Sequence, residues 1–546
     1  MAKTFGATVI PQIRPPNLKD LQSFKFVEAR CNGGMNTVID PADIPTNTFQ
    51  KLKNVRVRFD KTSRRPGTSL ITPTKPDSNT VLGLFEFKTK VGGIYLFRFT
   101  PTTIYSRSSP TVWTAVTGTL TGTASDHIRT ASVLDSFIFT NNGVNNVQII
   151  DPLLNTFGNL GDAPAYRYVT GFFNRAVGAA RANFNEVEVG WSGDGNITEW
   201  NPATDETAGS SPILESPADL SDFITGIFGF STVMILMREH SVWLATKQPV
   251  PQDPFNFYAA VPGIGCDSPN SIAVALNALV WFDRRTRTVW YYEPGQIPQP
   301  IGRPIENTII NGINDPNDVI GSYNPITNEY TVCIPQVRGK YNIAWTYNFR
   351  TQAWSFDEFY DVTSINDLDF ASAGITIDEL GDVPIDVLGL PAITIDELSP
   401  ASEIIPTRVY GRGDGEIMLE DDLSITDPPH ADLGPAVQTV PTQMVSKTFV
   451  IPELDMYIAE VVIEYQAAVG GSFTLEYSKN GGASEDSWVT AKTITVDPLQ
   501  LGRPQLLRFI KQIKTRRYAW RLSQINGLFD LLSYEIHVYP SGKSKR

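Results

Sequence analysis

Cysteine is almost absent from this 546-residue chain, and the three copies, Cys31, Cys266 and Cys333, are far apart, without a CxxC or a nearby histidine pair. That pattern points to neither a disulfide framework nor a zinc centre, and it reads as buried thiols of a chain folded in a reducing cytosol. Histidine is nearly as scarce. His127, His240, His430 and His537 are never close in sequence, so the commonest general base and transition-metal ligand is in short supply. No stretch approaches the roughly 18 consecutive apolar residues that span a bilayer as a helix, and no apolar signal core follows Met1–Gly6. A protein that neither spans a membrane nor leaves by the usual secretory route is expected. Walker-type and GxGxxG phosphate loops and the Gly-X-Ser-X-Gly elbow are also missing.

Charge is present but unevenly placed. The net charge is −13, yet residues 351–440 hold 19 Asp and Glu against only Arg408 and Arg412, so the rest of the chain is slightly basic. The last 46 residues carry Arg503, Arg508, Lys511, Lys514, Arg516, Arg517, Arg521, Lys543, Lys545 and Arg546 against Asp530 and Glu535. Such an acidic balance argues against ordinary nucleic-acid binding, although the basic C-terminus could touch phosphates.

What is abundant is strand and turn chemistry. Hydrophobic residues make up 41% of the chain and charged ones 19%, with 41 glycines and 39 prolines punctuating runs of Val, Ile, Thr, Phe and Tyr; helical signal is scarce, and the fold class is mainly β. From about Val81 a hairpin recurs: Gly92–Tyr105, Asp135–Asp151, Asn174–Trp191, Thr232–Ala245, Asn277–Glu293 and Asn328–Phe356, with starts 43, 39, 58, 45 and 51 residues apart. Within the second unit Phe137 and Phe139 alternate before Asn141-Asn142-Gly143, and Val147 and Ile149 after it. A spacing near 45 is that of a β-propeller blade, where radial packing covers both faces of each twisted sheet; stacked β-sandwiches are the competing arrangement, less favoured here.

These signals divide the chain into an N-terminal arm and β-meander (1–80), β-propeller-like repeats (81–360), an acidic inserted loop or ribbon (361–440) and a C-terminal strand-rich, sandwich-like domain (441–546). The insert contains Ile-Thr-Ile-Asp-Glu-Leu twice, at 375–380 and 393–398.

Motifs with catalytic promise are weak. Ser192–Trp200 (SGDGNITEW) resembles an Asp-box turn of sialidase-like propellers, with its Gly one residue early and its Trp one late; even a true Asp-box is a folding device. Ser478–Gly482 with Trp488 is a looser echo. Asp421-Asp422 and Asp378-Glu379 are adjacent, which on a strand sends them to opposite faces, so no carboxylate pair for glycoside hydrolysis is singled out. Asp414, Glu416, Glu420, Asp421 and Asp422 offer oxygens for Ca²⁺ without a ligand-loop spacing, and Arg412-Gly413-Asp414 reads as a turn. No enzyme, metal or cofactor is expected.

The N-terminal meander carries Gly33-Gly34-Met35-Asn36-Thr37, Asp40-Pro41-Ala42-Asp43-Ile44-Pro45, Leu52–Arg58 (LKNVRVR) and Arg64-Arg65-Pro66-Gly67, followed by the hairpins. In pattern and order this resembles the tail nozzle or tail-hub proteins of short-tailed bacteriophages, the family that includes tail tubular protein B and packaged-DNA-stabilisation proteins. The resemblance covers roughly the first two thirds of the chain. It implies a virion structural protein assembled in the host cytoplasm: a homo-oligomeric ring, usually a hexamer, below an adaptor ring protein, with tail fibre protein outside and DNA passing through its lumen. A conduit for a polyanion should not hold it, so an acidic wall suits the role. Asp378, Glu379, Asp382, Asp386, Asp396, Glu397 and Glu403 are the candidate channel-lining or gating residues, and Arg503, Arg508, Lys511, Lys514, Arg516, Arg517 and Arg521 the candidate assembly contacts. Two alternatives stay open: that the acidic segment faces a neighbour's basic C-terminal region, and that the chain is a carbohydrate-binding or glycan-cleaving propeller used in host recognition.

Overall fold

In the computed structural model the first five hairpins marked by the sequence each become the central pair of a four-stranded antiparallel sheet, and the sixth supplies three strands of a blade that continues into a larger sheet. The structure describes residues 23–543 except 60, 73, 110–111, 215–220, 310–315, 336–340, 372–403, 422–423, 431, 434–435, 452–453, 468–470 and 498–499. Strands β1 (Phe24–Glu28), β2 (Phe49–Lys53), β3 (Val55–Arg58), β4 (Lys61–Arg64) and β5 (Gly67–Leu70) come first. Six four-strand units follow: β6–β9 (83–115), β10–β13 (128–159), β14–β17 (166–212), β18–β21 (224–262), β22–β25 (273–300) and β26–β29 (320–360). The turn chemistry behaves as read: Asn142 and Gly143 take φ of 55° and 76° between β11 (Ser136–Asn141) and β12 (Gln148–Asp151).

A seventh sheet closes the circle. It joins β30 (Val362–Ala371), β31 (Ile404–Arg412) and β32 (Ile417–Asp421) to β5, with Met418 opposite Leu70 and Asp421 opposite Gly67. An apolar core fills each gap between neighbours: Phe87, Phe97 and Phe137 between blades one and two, Ile138, Tyr166 and Val169 between two and three, Val189, Trp191 and Trp243 between three and four. Met237, Val242 and Trp281 lie between four and five, Val280, Phe282 and Val332 between five and six, Cys333, Ile365 and Tyr410 between six and seven, and Leu84, Leu368 and Val409 between seven and one. The fold is therefore a β-propeller, and among the described residues its blades number seven. Cys31, Cys266 and Cys333 are free, buried thiols.

The N-terminal strands are not a separate arm. β1 pairs along β41 (Phe529–Lys543), and the β3–β4 hairpin joins the same strand, in a sheet continued by β36 (Leu454–Ala467) and β39 (Pro504–Thr515). The facing sheet runs β2, β35 (Gln443–Ser446), β40 (Ala519–Asn526), β37 (Ser472–Ser478) and β38 (Trp488–Thr495). Together they make a sandwich whose core holds Val461, Ile463, Phe473, Trp520 and Ile536. Because β2 also pairs in parallel with β29 (Ala353–Tyr360), blade six and this second sheet form one nine-stranded sheet. The domain lines drawn from sequence shift accordingly: residues 24–64 belong with the C-terminal sandwich, and 362–371 and 404–421 are blade strands rather than an insert. Local pattern cannot show either, since both rest on pairings hundreds of residues apart.

Candidate functional site

Pleating decides what the N-terminal hairpin offers. In Val55-Arg56-Val57-Arg58 successive side chains point to opposite faces; Val55 and Val57 enter the apolar core, and Arg56 and Arg58 turn toward blade six. Arg56, 1% exposed, donates to Thr346 Oγ1 at 3.2 Å and pairs with the buried Asp357 of β29. Arg58 grips Glu329 of β27 (Glu329–Pro335) with two bonds of 3.0 and 3.1 Å and lies 3.7 Å from Glu420 of β32. Arg65 pairs with Asp427 at 2.7 Å, lies over the Phe359 ring at 4.3 Å and approaches Asp357 at 3.9 Å. From blade seven, Arg408 bonds Asp367 at 3.1 and 3.2 Å and the Glu329 carbonyl at 3.3 Å.

Four arginines and five carboxylates thus meet where blade six, blade seven and the N-terminal hairpin converge. Burial by itself would raise the Glu329 carboxyl, but the Arg58 charge and hydrogen bonds, with Arg56 and Arg408, hold it at about 2. Burial opposes the charge on Arg408 too, and Asp367, with Tyr410 and Glu420, more than offsets it, so Arg408 stays protonated above the ordinary range. Removing one member of such a set strands a buried charge, which makes the junction specific about its partners.

A second buried cluster lies beside it. His430 Nδ1 accepts the Asp432 N–H at 3.0 Å, leaving Nε2 to donate toward Asp361 Oδ2 at 3.1 Å and Asp414 Oδ2 at 3.4 Å. Asp361 takes a φ of 58°. Arg412 is 2% exposed and bonds Asp414 within its own turn, closed by Gly415 N–H to the Arg412 carbonyl at 3.2 Å, so Arg412-Gly413-Asp414 is the expected turn. With Glu358 on Lys53 at 2.8 Å and Glu416 on Lys75 at 3.6 Å, five carboxylates of the acidic stretch, Asp357, Glu358, Glu416, Glu420 and Asp427, are matched by cations from residues 53–75. Asp414, Glu416 and Glu420, considered for calcium, face Arg412, Lys75 and Arg58. The candidate channel residues Asp378, Glu379, Asp382, Asp386, Asp396, Glu397 and Glu403 lie outside the described residues.

Most of the basic candidates gather on one edge. Arg508, Lys511 and Lys514 lie on β39, with Arg503 just before it and Arg516 just after; Arg508 and Lys514 make loose pairs with Glu460 at 3.8 Å and Asp455 at 3.5 Å, and Lys511 sits 5.3 Å from the Tyr477 ring centre. Arg517 reaches Asp40 at 3.4 Å. Arg521 departs from the expectation: on the inner strand β40 it holds Glu476 with bonds of 2.6 and 3.1 Å and Glu485 at 2.5 Å, over the Trp488 ring. Its charge is matched inside the subunit, where cross-strand neighbours supply carboxylates that spacing could not reveal.

Blade three holds a cleft of about 820 Å³, lined by Tyr166, Trp191, Trp200, Asp162, Arg181 and Glu206 among others. Glycines on adjacent strands make room for the rings: a Cβ on Gly178 or Gly190 would strike Tyr166 at 2.3 or 2.0 Å. The Asp-box-like turn supplies one wall, and Trp200 is buried there as a packing residue, its Nε1 donating to the Ile197 carbonyl at 2.9 Å. Asn196 and Asp205 accept backbone N–H bonds in this loop, from Thr198 at 3.3 Å and Thr207 at 2.9 Å.

No family model and no curated protein matches the chain. Solved structures with a similar chain course include a quinoprotein alcohol dehydrogenase-like protein from Bacteroides thetaiotaomicron, at 8% identity and TM-score 0.32 over 52% of this chain and 66% of that one. Apo AztD from Citrobacter koseri is similar at 9% identity and TM-score 0.31, over 50% and 73%. An exo-β-1,3-galactanase from Phanerochaete chrysosporium, solved with galactose, is similar at 10% identity and TM-score 0.23, over 66% and 92%.

Proposed function

We propose that this chain is a structural subunit of a short-tailed phage tail, building the nozzle ring through which DNA leaves the capsid. The observation that carries the reading is where the resemblance motifs sit. Leu52–Arg58 and Arg64–Gly67 supply β3, the last residue of β4, the start of β5 and three of the four arginines of the buried junction, Arg56, Arg58 and Arg65. Two of the N-terminal motifs that carry the resemblance thus lie in the hairpin that helps fasten propeller to sandwich. The basic edge at β39 offers an assembly contact. With the described carboxylates of 357–427 largely paired, an acidic lumen wall rests on the seven carboxylates between 378 and 403. Adaptor ring and fibre proteins are the implied neighbours.

Negative-stain electron microscopy of the purified chain, alone and with its virion neighbours, tests the proposal. Rings with a central opening are expected; monomers with glycan affinity under both conditions would overturn it. Salt separates the two roles of the acidic segment. If assembly is salt-sensitive and is lost when Asp378, Glu379, Asp396 and Glu397 are neutralised, the segment is a subunit contact and not a lumen wall. The blade-three cleft, with aromatic walls and a rim including Asp162, Asn201, Glu206 and Gln252, supports the second reading of a carbohydrate-binding propeller.

A further inference from the structure

One stretch of the chain carries cations without carboxylates. No Asp or Glu occurs between Asp497 and Asp530, and Arg503, Arg508, Lys511, Lys514, Arg516 and Arg517 are all exposed, on β39 or just beyond its ends. β39 is the last strand of its sheet, paired among the described residues only with β36, so these side chains sit on a free rim. Among the described residues three carboxylates answer the six cations, none closely: Glu460 is 3.8 Å from Arg508, Asp455 3.5 Å from Lys514 and Asp40 3.4 Å from Arg517.

The same rim exposes aliphatic side chains. Alternate residues of a strand share a face, which puts Leu506, Arg508 and Ile510 in one row, and Leu506 and Ile510 are 62% and 76% exposed. Opposite them on β36 stand Glu464, Val462 and Glu460, set back by one strand spacing of about 4.8 Å. The rim itself therefore leads with cations and aliphatics, and the acids lie behind it.

We propose that this rim docks on an anionic lipid surface, with Leu506 and Ile510 entering the head-group boundary and the surrounding Lys and Arg facing lipid phosphates. Charge and apolarity together select the occupant. A bilayer interface takes up both, burying aliphatic side chains while its phosphates attract cations, and firm peripheral attachment needs the two signals at once. A nucleic-acid backbone would match the cations but leave Leu506 and Ile510 in water. The contact is peripheral and needs no spanning segment. It does not rest on the ring reading: a rim buried between subunits could not meet lipid, so the two uses of these residues exclude each other.

Co-sedimentation of the full chain with vesicles of phosphatidylglycerol and phosphatidylcholine in equal amounts, and with vesicles of phosphatidylcholine alone, tests this with two variants at exposed positions: Leu506→Ser with Ile510→Ser, and Arg508→Gln with Lys514→Gln. The chain should bind the mixed vesicles about tenfold or more tighter than the neutral ones, and each double variant should lose about tenfold or more of that affinity with its urea unfolding midpoint unchanged. Equal binding to both vesicles, no binding, or binding that both variants retain overturns the proposal. Two further results would reassign the rim and overturn it as well: rings that form from wild type but not from the variants, which mark a subunit contact, and duplex DNA bound in place of vesicles and undiminished by the serine variant. A chain that stays monomeric with its virion neighbours present yet binds the mixed vesicles overturns the ring reading alone.

Discussion

The gap between blades one and two and the junction among blade six, blade seven and the N-terminal hairpin are both buried, but they are filled by opposite chemistry. In the first, Phe87, Phe97, Phe99, Phe137 and Phe139 pack ring on ring, with Phe97 and Phe137 centred 5.4 Å apart. In the second, Arg56, Arg65 and Arg408, none more than 3% exposed, face Asp357, Asp367 and Asp427. Apolar packing is non-directional and accepts substitutes of similar volume. A buried ionic set does not: each charge needs its own partner in the right place. The propeller is therefore held round by tolerant contacts, and at its seam with the sandwich selective ones are added to the shared sheet and the continuous apolar core.

The largest expected break of this contrast is Asp357→Ala, which leaves Arg56 and Arg65 short of a buried counter-charge and should cost about 3–5 kcal/mol in urea unfolding. Acid sharpens it next. Glu329, at about 2, sits below its ordinary value of 4.5, so between those values the unfolded chain binds more protons than the folded one. Its contribution is complete above pH 4.5 and is lost as pH falls toward 2. Unfolding at pH 5, 4 and 3 should show wild type losing more stability over that range than Glu329→Gln. In the apolar gap, Phe137→Leu should cost less than about 1.5 kcal/mol by the same measurement. The smallest change belongs to Lys53→Ala, whose pair with the 38%-exposed Glu358 should be worth about 0.5 kcal/mol.

The same contrast explains how much the sequence revealed. Hairpins such as Asp135–Asp151 were legible because turn and strands lie within twenty residues and Asn142-Gly143 adopts the positive φ that such turns favour. The seventh blade was hidden. Its β30–β31 hairpin is interrupted by residues 372–403, and its outer strand β5 comes from some 350 residues earlier. Val55–Arg58 was readable as a short strand, but alternating Val and Arg is also the pattern of a strand with one wet face. Nothing local says that Arg56 and Arg58 meet Asp357 and Glu329. The basic edge was legible as charge, whereas the withdrawal of Arg521 onto Glu476 depended on cross-strand register.

The central claim is that the junction makes propeller and sandwich one cooperative body, and urea-dependent hydrogen exchange read in two places tests it most directly. Peptides from β10 (Ile128–Val133) through β12 report on the propeller and peptides from β36 and β41 on the sandwich. Wild type should lose protection at one shared urea midpoint, and Asp357→Ala should split it in two. Separate midpoints in wild type, or a shared midpoint that survives Asp357→Ala, would contradict the account.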